Sequence, residues 1–247
     1  MGTNQGTIED YSLFSQELQE EIPLLIYKPS HFSTLYKYSV LIVQDGKDYF
    51  QMGRIGRTAD LLYTEGKIEN LIIVGIPYRN VEDRRTKYHP NGGKQQSYIR
   101  FLAHELVPFI DNHFPTYQVG SGRALGGDSL GATVSLMAAL KYPNIFGKML
   151  LHSPYVDEKV FNVVENFDQP HLVNLYHVIG KQETEVKMTN GEIMDFLQTN
   201  RELHDLIEAK AIQNFYDEFD GNHTWKYWQP DLKRALQIMF AKHETAG

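Results

Sequence analysis

Arg123-Ala124-Leu125-Gly126-Gly127-Asp128-Ser129-Leu130-Gly131-Ala132-Thr133-Val134-Ser135-Leu136 runs from a short strand-like stretch into one with helical spacing, and the turn between them reads Gly127-x-Ser129-x-Gly131. A serine on so abrupt a strand-to-helix turn takes a strained backbone conformation, so the residues two before and two after it must be small to avoid collision. Gly127 and Gly131 meet that need. The same turn lifts the Ser129 Oγ above the sheet edge. It also aims the N–H of Leu130, at a helix start, toward negative charge developing nearby. A glycine-rich structural turn is the plainer reading of the five residues alone. The strand before, the helix after and the small pair Ala132-Thr133 favour a nucleophile elbow.

Outward from this turn, short apolar runs recur at Leu24-Leu25-Ile26-Tyr27, at Val40-Leu41-Ile42-Val43 and at Leu71-Ile72-Ile73-Val74. They recur again at Met149-Leu150-Leu151 and from Leu172 to Ile179. Such runs suit strands buried on both faces. Between them lie helical spacings: Tyr98, Phe101, Leu102, Leu106 and Phe109, then Leu130, Val134, Met137 and Leu140. Alternation of the two predicts an α/β fold, a mostly parallel sheet with helices on both faces and an antiparallel pair at its N-terminal edge. Ligand sites in such sheets form at the carboxyl ends of the strands. With no linker, repeat or block of like charge, the 247 residues read as one domain spanning 1–247.

Composition narrows the chemistry. A hydrophobic share of 42% and a charged share of 22% fit a globular protein rather than a disordered or fibrous one. Against 31 acidic residues stand 24 Lys and Arg, a net charge of -7, which offers no diffuse positive field to a phosphate backbone and argues against nucleic acid. The absence of cysteine removes disulfides, thiolate catalysis and thiolate metal sites together. No stretch supplies the ~20 apolar residues of a membrane helix, and the N-terminus lacks a signal pattern, so a cytoplasmic protein without membrane association is expected. His-Glu-x-x-His or comparable spacing is missing, so no metal or cofactor is expected. Self-association is not decided by these features.

In a fold with this elbow the partners follow in the order serine, acid, histidine, on loops at one sheet edge. Of the ten histidines, only His204, His223 and His243 lie beyond the strand ending at Ile179. His204 sits in a helical run and His243 in the terminal tail. His223 follows a strand-like run from Ile212 to Phe219 and the turn Asp220-Gly221-Asn222, and so fits the general base; a plain surface histidine is the alternative. The acid should follow Ile179, where Gly180-Lys181-Gln182-Glu183-Thr184-Glu185 offers two glutamates. Glu183, three residues past Gly180, suits a tight turn better than Glu185. With both solvated, a Ser-His dyad would remain. A second oxyanion donor is expected in the turn Gln44-Asp45-Gly46-Lys47, with the Lys47 N–H as candidate.

Two further segments bear on the substrate. The loop from Pro77 to Pro90 gathers Tyr78, Arg79, Arg84 and Arg85 after a central strand, where an arginine can hold an anionic group; pairing with Glu82, Asp83 or other acids is the competing reading. Trp225, Tyr227 and Trp228 can wall a pocket beside His223 or simply pack the last helix.

These points together resemble the putative esterase family of α/β-hydrolases, the branch holding enterochelin esterases, esterase D and the mycolyltransferases. The matching features are the strand leading to Asp45-Gly46, the strand Leu71 to Ile76 with its Arg- and Tyr-bearing loop, and Phe101-Leu102-x-x-Glu105-Leu106-x-Pro108. The Ser129 elbow, the Gly180 to Glu183 turn and His223-Thr224-Trp225 complete them. The similarity runs from about Leu24 to Leu236 and is nearest to small bacterial esterase-like proteins. Ala132 departs from it, since many members carry a second glycine there. The resemblance implies hydrolysis of a small-molecule ester by a Ser-His-Glu triad. An acyltransferase would share every one of these residues. A silent binding protein on the same fold is disfavoured by the intact Ser129, His223 and Glu183.

Overall fold

Consecutive residues of one central strand serve opposite layers. Val40 and Ile42 pack into one hydrophobic cluster, Leu41 and Val43 into another, because strand side chains alternate faces and both faces are covered. In the computed structural model, which describes residues 5–242, this strand lies in the middle of an eight-stranded sheet. His243 lies outside the described residues.

The chain opens with β1 (Thr7–Ser15) and β2 (Glu20–Lys28), then β3 (Ser39–Gln44), α1 (Gly46–Gln51), α2 (Ile55–Thr64), β4 (Leu71–Ile76) and α3 (Val81–Tyr88). It continues through α4 (Gln95–Phe101), α5 (Val107–His113), β5 (Arg123–Asp128), α6 (Leu130–Lys141), β6 (Lys148–His152) and α7 (Glu158–Glu165). Beyond these come β7 (Asn174–Gly180), β8 (Val186–Lys187), β9 (Ile193–Met194), α8 (Phe196–Ala209), β10 (Gln213–Phe219) and α9 (Trp225–Met239). The sheet order is β1-β2-β4-β3-β5-β6-β7-β10. Pairs from β4 through to β10 are parallel, while β1 with β2 and β2 with β4 are antiparallel. The expected α/β sheet with an antiparallel N-terminal edge is therefore what forms.

Helices α4 to α8 supply one apolar layer through Tyr98, Leu106, Val134, Val160 and Leu203, and α2 and α9 supply the other through Leu62, Leu232 and Leu236. Full burial of each such side chain contributes roughly 1.5–3 kcal/mol before entropy is counted. Between α4 and α5, Leu102–Leu106 forms a π-helical turn in which the Val107 N–H reaches back to Leu102. The next residue, Pro108, has no N–H to give and crowds the preceding turn, a recognised cause of such widening. Glu105 in that turn accepts the Gln16 and Glu17 N–H groups and the Ser15 hydroxyl, tying the β1–β2 turn to the helix layer.

Three segments differ from the sequence reading. Residues 172 and 173 precede β7, because Pro170–Leu172 closes a 3-10 turn. The stretch from Pro77 to Pro90 is not all loop: α3 lies within it, capped by the Asn80 side chain accepting the Asp83 N–H. Being rich in charge, this helix has no apolar stripe to announce it. The turn after β3 passes at once into α1, and Gly46 is required there because a Cβ would fall 2.4 Å from the Gly75 backbone of β4.

Candidate active site

At the carboxyl end of β5, Ser129 takes φ 53° and ψ -125°, a left-handed φ that an L-residue holds only under constraint. Its N–H is bound by the His152 carbonyl at 2.9 Å, and its own carbonyl accepts from the Thr133 N–H at 3.1 Å. Close approach explains both neighbouring glycines. A Cβ on Gly127 would lie 2.3 Å from the Gly131 backbone, and one on Gly131 would press on Gln44 at 3.0 Å and on an Asp45 carboxylate oxygen at 3.2 Å. Leu130 is the first residue of α6, so its N–H has no acceptor within the helix.

The carboxyl ends of β7 and β10 meet at a second cluster. The loops are laced together by Lys181 N–H to Phe219 and Gln182 N–H to Gly221, both 2.9 Å. Glu183, fully buried, turns inward. Its Oε2 lies 2.6 Å from His223 Nδ1, while Oε1 accepts the Gly180 N–H at 2.9 Å and the Ser153 hydroxyl at 2.7 Å. An ionised carboxylate has only acceptors, so this contact fixes the proton on Nδ1 and leaves Nε2 with a free lone pair. Gly180 is needed because a Cβ would fall 2.7 Å from Glu183 Oε1 and 2.4 Å from the Gly221 carbonyl. Glu185 is exposed.

Aromatic rings hold the imidazole. Phe196 and Trp228 meet His223 edge-to-face at centroid distances of 4.8 and 4.9 Å, contacts of about 0.5–1.5 kcal/mol each beyond area burial. The Trp228 indole N–H donates to the Ser153 hydroxyl at 3.1 Å, so Ser153 links Trp228 to Glu183. Trp225 stands edge-on to both Tyr49 and Trp228. A second histidine–carboxylate pair joins the fully buried His152, through Nε2, to the partly buried Asp231 at 3.0 Å and does not reach the cavity. Asp231 also accepts from Tyr176 and Arg234, so this pair fastens α9 beneath the sheet.

Ser129, Leu130, His223, Tyr78 and Trp225 line one cavity of about 590 Å³. On its wall Arg84 grips both Asp45 carboxylate oxygens from Nε and one again from Nη2, at 2.6 to 3.0 Å. Burial alone would lower the Arg84 pKa, but the Asp45 charge outweighs it and keeps the guanidinium charged. Asp128, beside the serine, is pushed up to about 8, by burial first and then by the like charge of Asp45.

One residue falls elsewhere than expected. Arg79 pairs with Glu20 at 2.8 Å and lines a separate cavity of about 410 Å³, not the one holding Ser129. Lys47, exposed in the first turn of α1, also lines that second cavity. Asp45 and Asp48 line the cavity that holds Ser129, whereas the Lys47 side chain between them lines the other, which leaves the expectation for its backbone N–H as it stood. Of the three arginines in the segment, Arg84 and Arg85 reach the cavity. Ser153, Phe196 and the β8–β9 hairpin, whose Val186 to Thr189 form one wall, were not singled out in the sequence. Ser153 takes φ 47° immediately after β6, and nothing about a lone serine signals that.

A family model described as "Putative esterase" matches residues 15–239. The uncharacterised protein YjcH of Bacillus subtilis (strain 168) is 52% identical over 239 residues, spanning 97% of this chain and 100% of that one. An acetyl esterase of Caldicellulosiruptor saccharolyticus is 25% identical over 172 residues, 59% of this chain and 65% of its own. Among solved structures, a ferulic acid esterase superposes with a TM-score of 0.79 over 96% of this chain and 98% of its own, at 18% identity. No helix among the described residues is long and apolar enough to cross a membrane.

Proposed function

The chain belongs to the putative esterase family and is an esterase, and we propose that it cleaves carboxylic esters of small molecules through an acyl-enzyme on Ser129. His223 Nε2 takes the proton from Ser129 Oγ as that oxygen attacks the ester carbonyl. The negative oxygen of the tetrahedral intermediate is received by the Leu130 N–H and by a donor of the first turn of α1, for which the Lys47 N–H remains the candidate. Collapse breaks the bond to the alcohol oxygen, which leaves with the proton from His223. Water then attacks the acyl-serine and gives its proton to His223, which passes it to the departing Ser129 Oγ as the acid is released. Glu183 keeps the imidazole in the tautomer that can do this and stabilises the imidazolium as it forms.

The observation carrying the reading is the 2.6 Å contact of His223 Nδ1 with the buried Glu183 carboxylate, on a histidine that shares its cavity with a serine at positive φ. The test is turnover of 4-nitrophenyl acetate by the protein and by Ser129→Ala. The protein should hydrolyse the ester and the variant should lose at least about 10³-fold in kcat. Equal turnover by the two would refute the assignment.

A further inference from the structure

Three arginines follow β4, and two of them have partners. Arg79 is paired with Glu20, and the Arg84 fork is filled by Asp45. Arg85, one residue on in α3, forms no ion pair among the described residues, and its Nη1 is buried without a hydrogen-bond partner. It lines the cavity that holds Ser129. A guanidinium carries five donors, and none of those on Arg85 makes a hydrogen bond or an ion pair among the described residues, so the group stands uncommitted where it lines the cavity. Asp157 and Glu192 lie close enough to share its field at His89, but neither forms an ion pair with it. Asp157 instead caps α7 at the Val160 N–H, and Glu192 accepts from Asn190.

The charges around it point the same way. Lys187 on β8 and Lys226 on α9 line the same cavity and make no ion pair among the described residues. Against these three cations stand Asp45, neutralised by Arg84, then Asp128 and Asp48. Asp128 is pushed up to about 8 by burial and then by Asp45, and its Oδ1 has no partner. Asp48 is raised as well, by burial and then by Asp45. Arg85, Lys187 and Lys226 thus bring unpaired positive charge to this cavity in a molecule whose net charge is -7.

We infer that Arg85, supported by Lys187 and Lys226 at the cavity wall, anchors an oxyanion borne by the substrate, so that the preferred esters carry a carboxylate or a phosphate besides the ester group. This rests on the esterase reading above. Planar guanidinium donors suit a carboxylate fork to fork and a phosphate equally well. The anion would reach its donors before reaction and remain there through it, so its contribution falls on substrate capture more than on the chemical step.

Matched esters test this. On the alcohol side, the acetates of 4-hydroxybenzoate and of 4-hydroxyphenyl phosphate are compared with the acetate of 4-hydroxybenzamide. On the acyl side, 4-nitrophenyl monoadipate is compared with its methyl ester. In at least one arm the charged ester should show the higher kcat/KM, mostly through KM, and the ratio of charged to neutral should fall about 10- to 100-fold in Arg85→Gln. Arg85→Lys should restore part of the ratio. The two alcohol-side anions separate carboxylate from phosphate. A ratio near one in both arms, or a preference that survives in Arg85→Gln, would overturn the inference. If even the neutral esters go unhydrolysed, the failure lies with the esterase reading and not with Arg85.

Discussion

Glu183 and Glu185 are two residues apart and chemically alike, yet they occupy opposite environments. Glu183 is buried and bound at both oxygens, one of them by His223, while Glu185 is exposed. Replacing Glu183 by Gln substitutes a neutral amide that can present a donor to Nδ1, removing the charge that steadies the imidazolium and the acceptor that fixes its tautomer. Glu183→Gln should therefore lower kcat by about 10²- to 10⁴-fold on a short activated ester, whereas Glu185→Gln should change it less than about twofold. Steady-state kinetics of the two variants decides this, and the reverse pattern would move the orienting role to Glu185. The sequence favoured Glu183 from its spacing after Gly180, and the structure supplies the physical reason: Gly180 alone leaves room for the carboxylate to fold back over the strand end. Ser153, which completes that carboxylate's shell, was beyond reach of the sequence, because its contacts to Glu183 and Trp228 join positions 30 and 75 residues away.

Elements were legible to the extent that burial writes a pattern. Strands β3, β4 and β6 are apolar on both faces and read directly as central. The edge strand β1 and the charged α3 expose most of one side, so their residues carry less of the apolar signal. The β8–β9 hairpin has only two residues per strand, too few for any period to show. Packing between elements carries its own pH dependence at β7 and α8. His177 is fully buried, with Nε2 2.7 Å from the Asn200 carbonyl oxygen, and Asn200 donates in turn to Pro154 and Phe196. Burial, chiefly, lowers His177 to about 4. In the unfolded chain it takes a proton near its ordinary 6.5, so the unfolded state binds more protons between the two values. Stability is present above about 6.5 and is lost as the pH falls toward about 4, by about 3 kcal/mol at most. His177→Gln cannot titrate and keeps a donor for Asn200. Its melting temperature should fall less steeply than the parent's between pH 6.5 and 4, and parallel slopes for the two would show that His177 does not carry this acid sensitivity.

Across the whole molecule, the parallel sheet places the ends of β3, β5, β7 and β10 on one edge, and each contributes a distinct part. The turn after β3 brings Asp45 and Asp48, β5 brings Asp128 and Ser129, β7 leads to Glu183, and β10 leads to His223. Residues nearly 100 positions apart, Ser129 and His223, thereby face one cavity. This is why order along the chain, together with the sheet, sufficed to single out His223 and Glu183, two residues that the structure brings into contact. It did not suffice for Arg79, which pairs with Glu20 and lines a separate cavity. The central claim concerns Ser129, and the most direct measurement of it is covalent labelling: the protein is incubated with a fluorophosphonate probe, digested, and the modified peptide located by mass spectrometry. An activated serine attacks phosphorus as it would an ester carbonyl, so the label should sit on Ser129 and should disappear in Ser129→Ala. Label on any other residue, or an active protein that takes up none, would contradict the account.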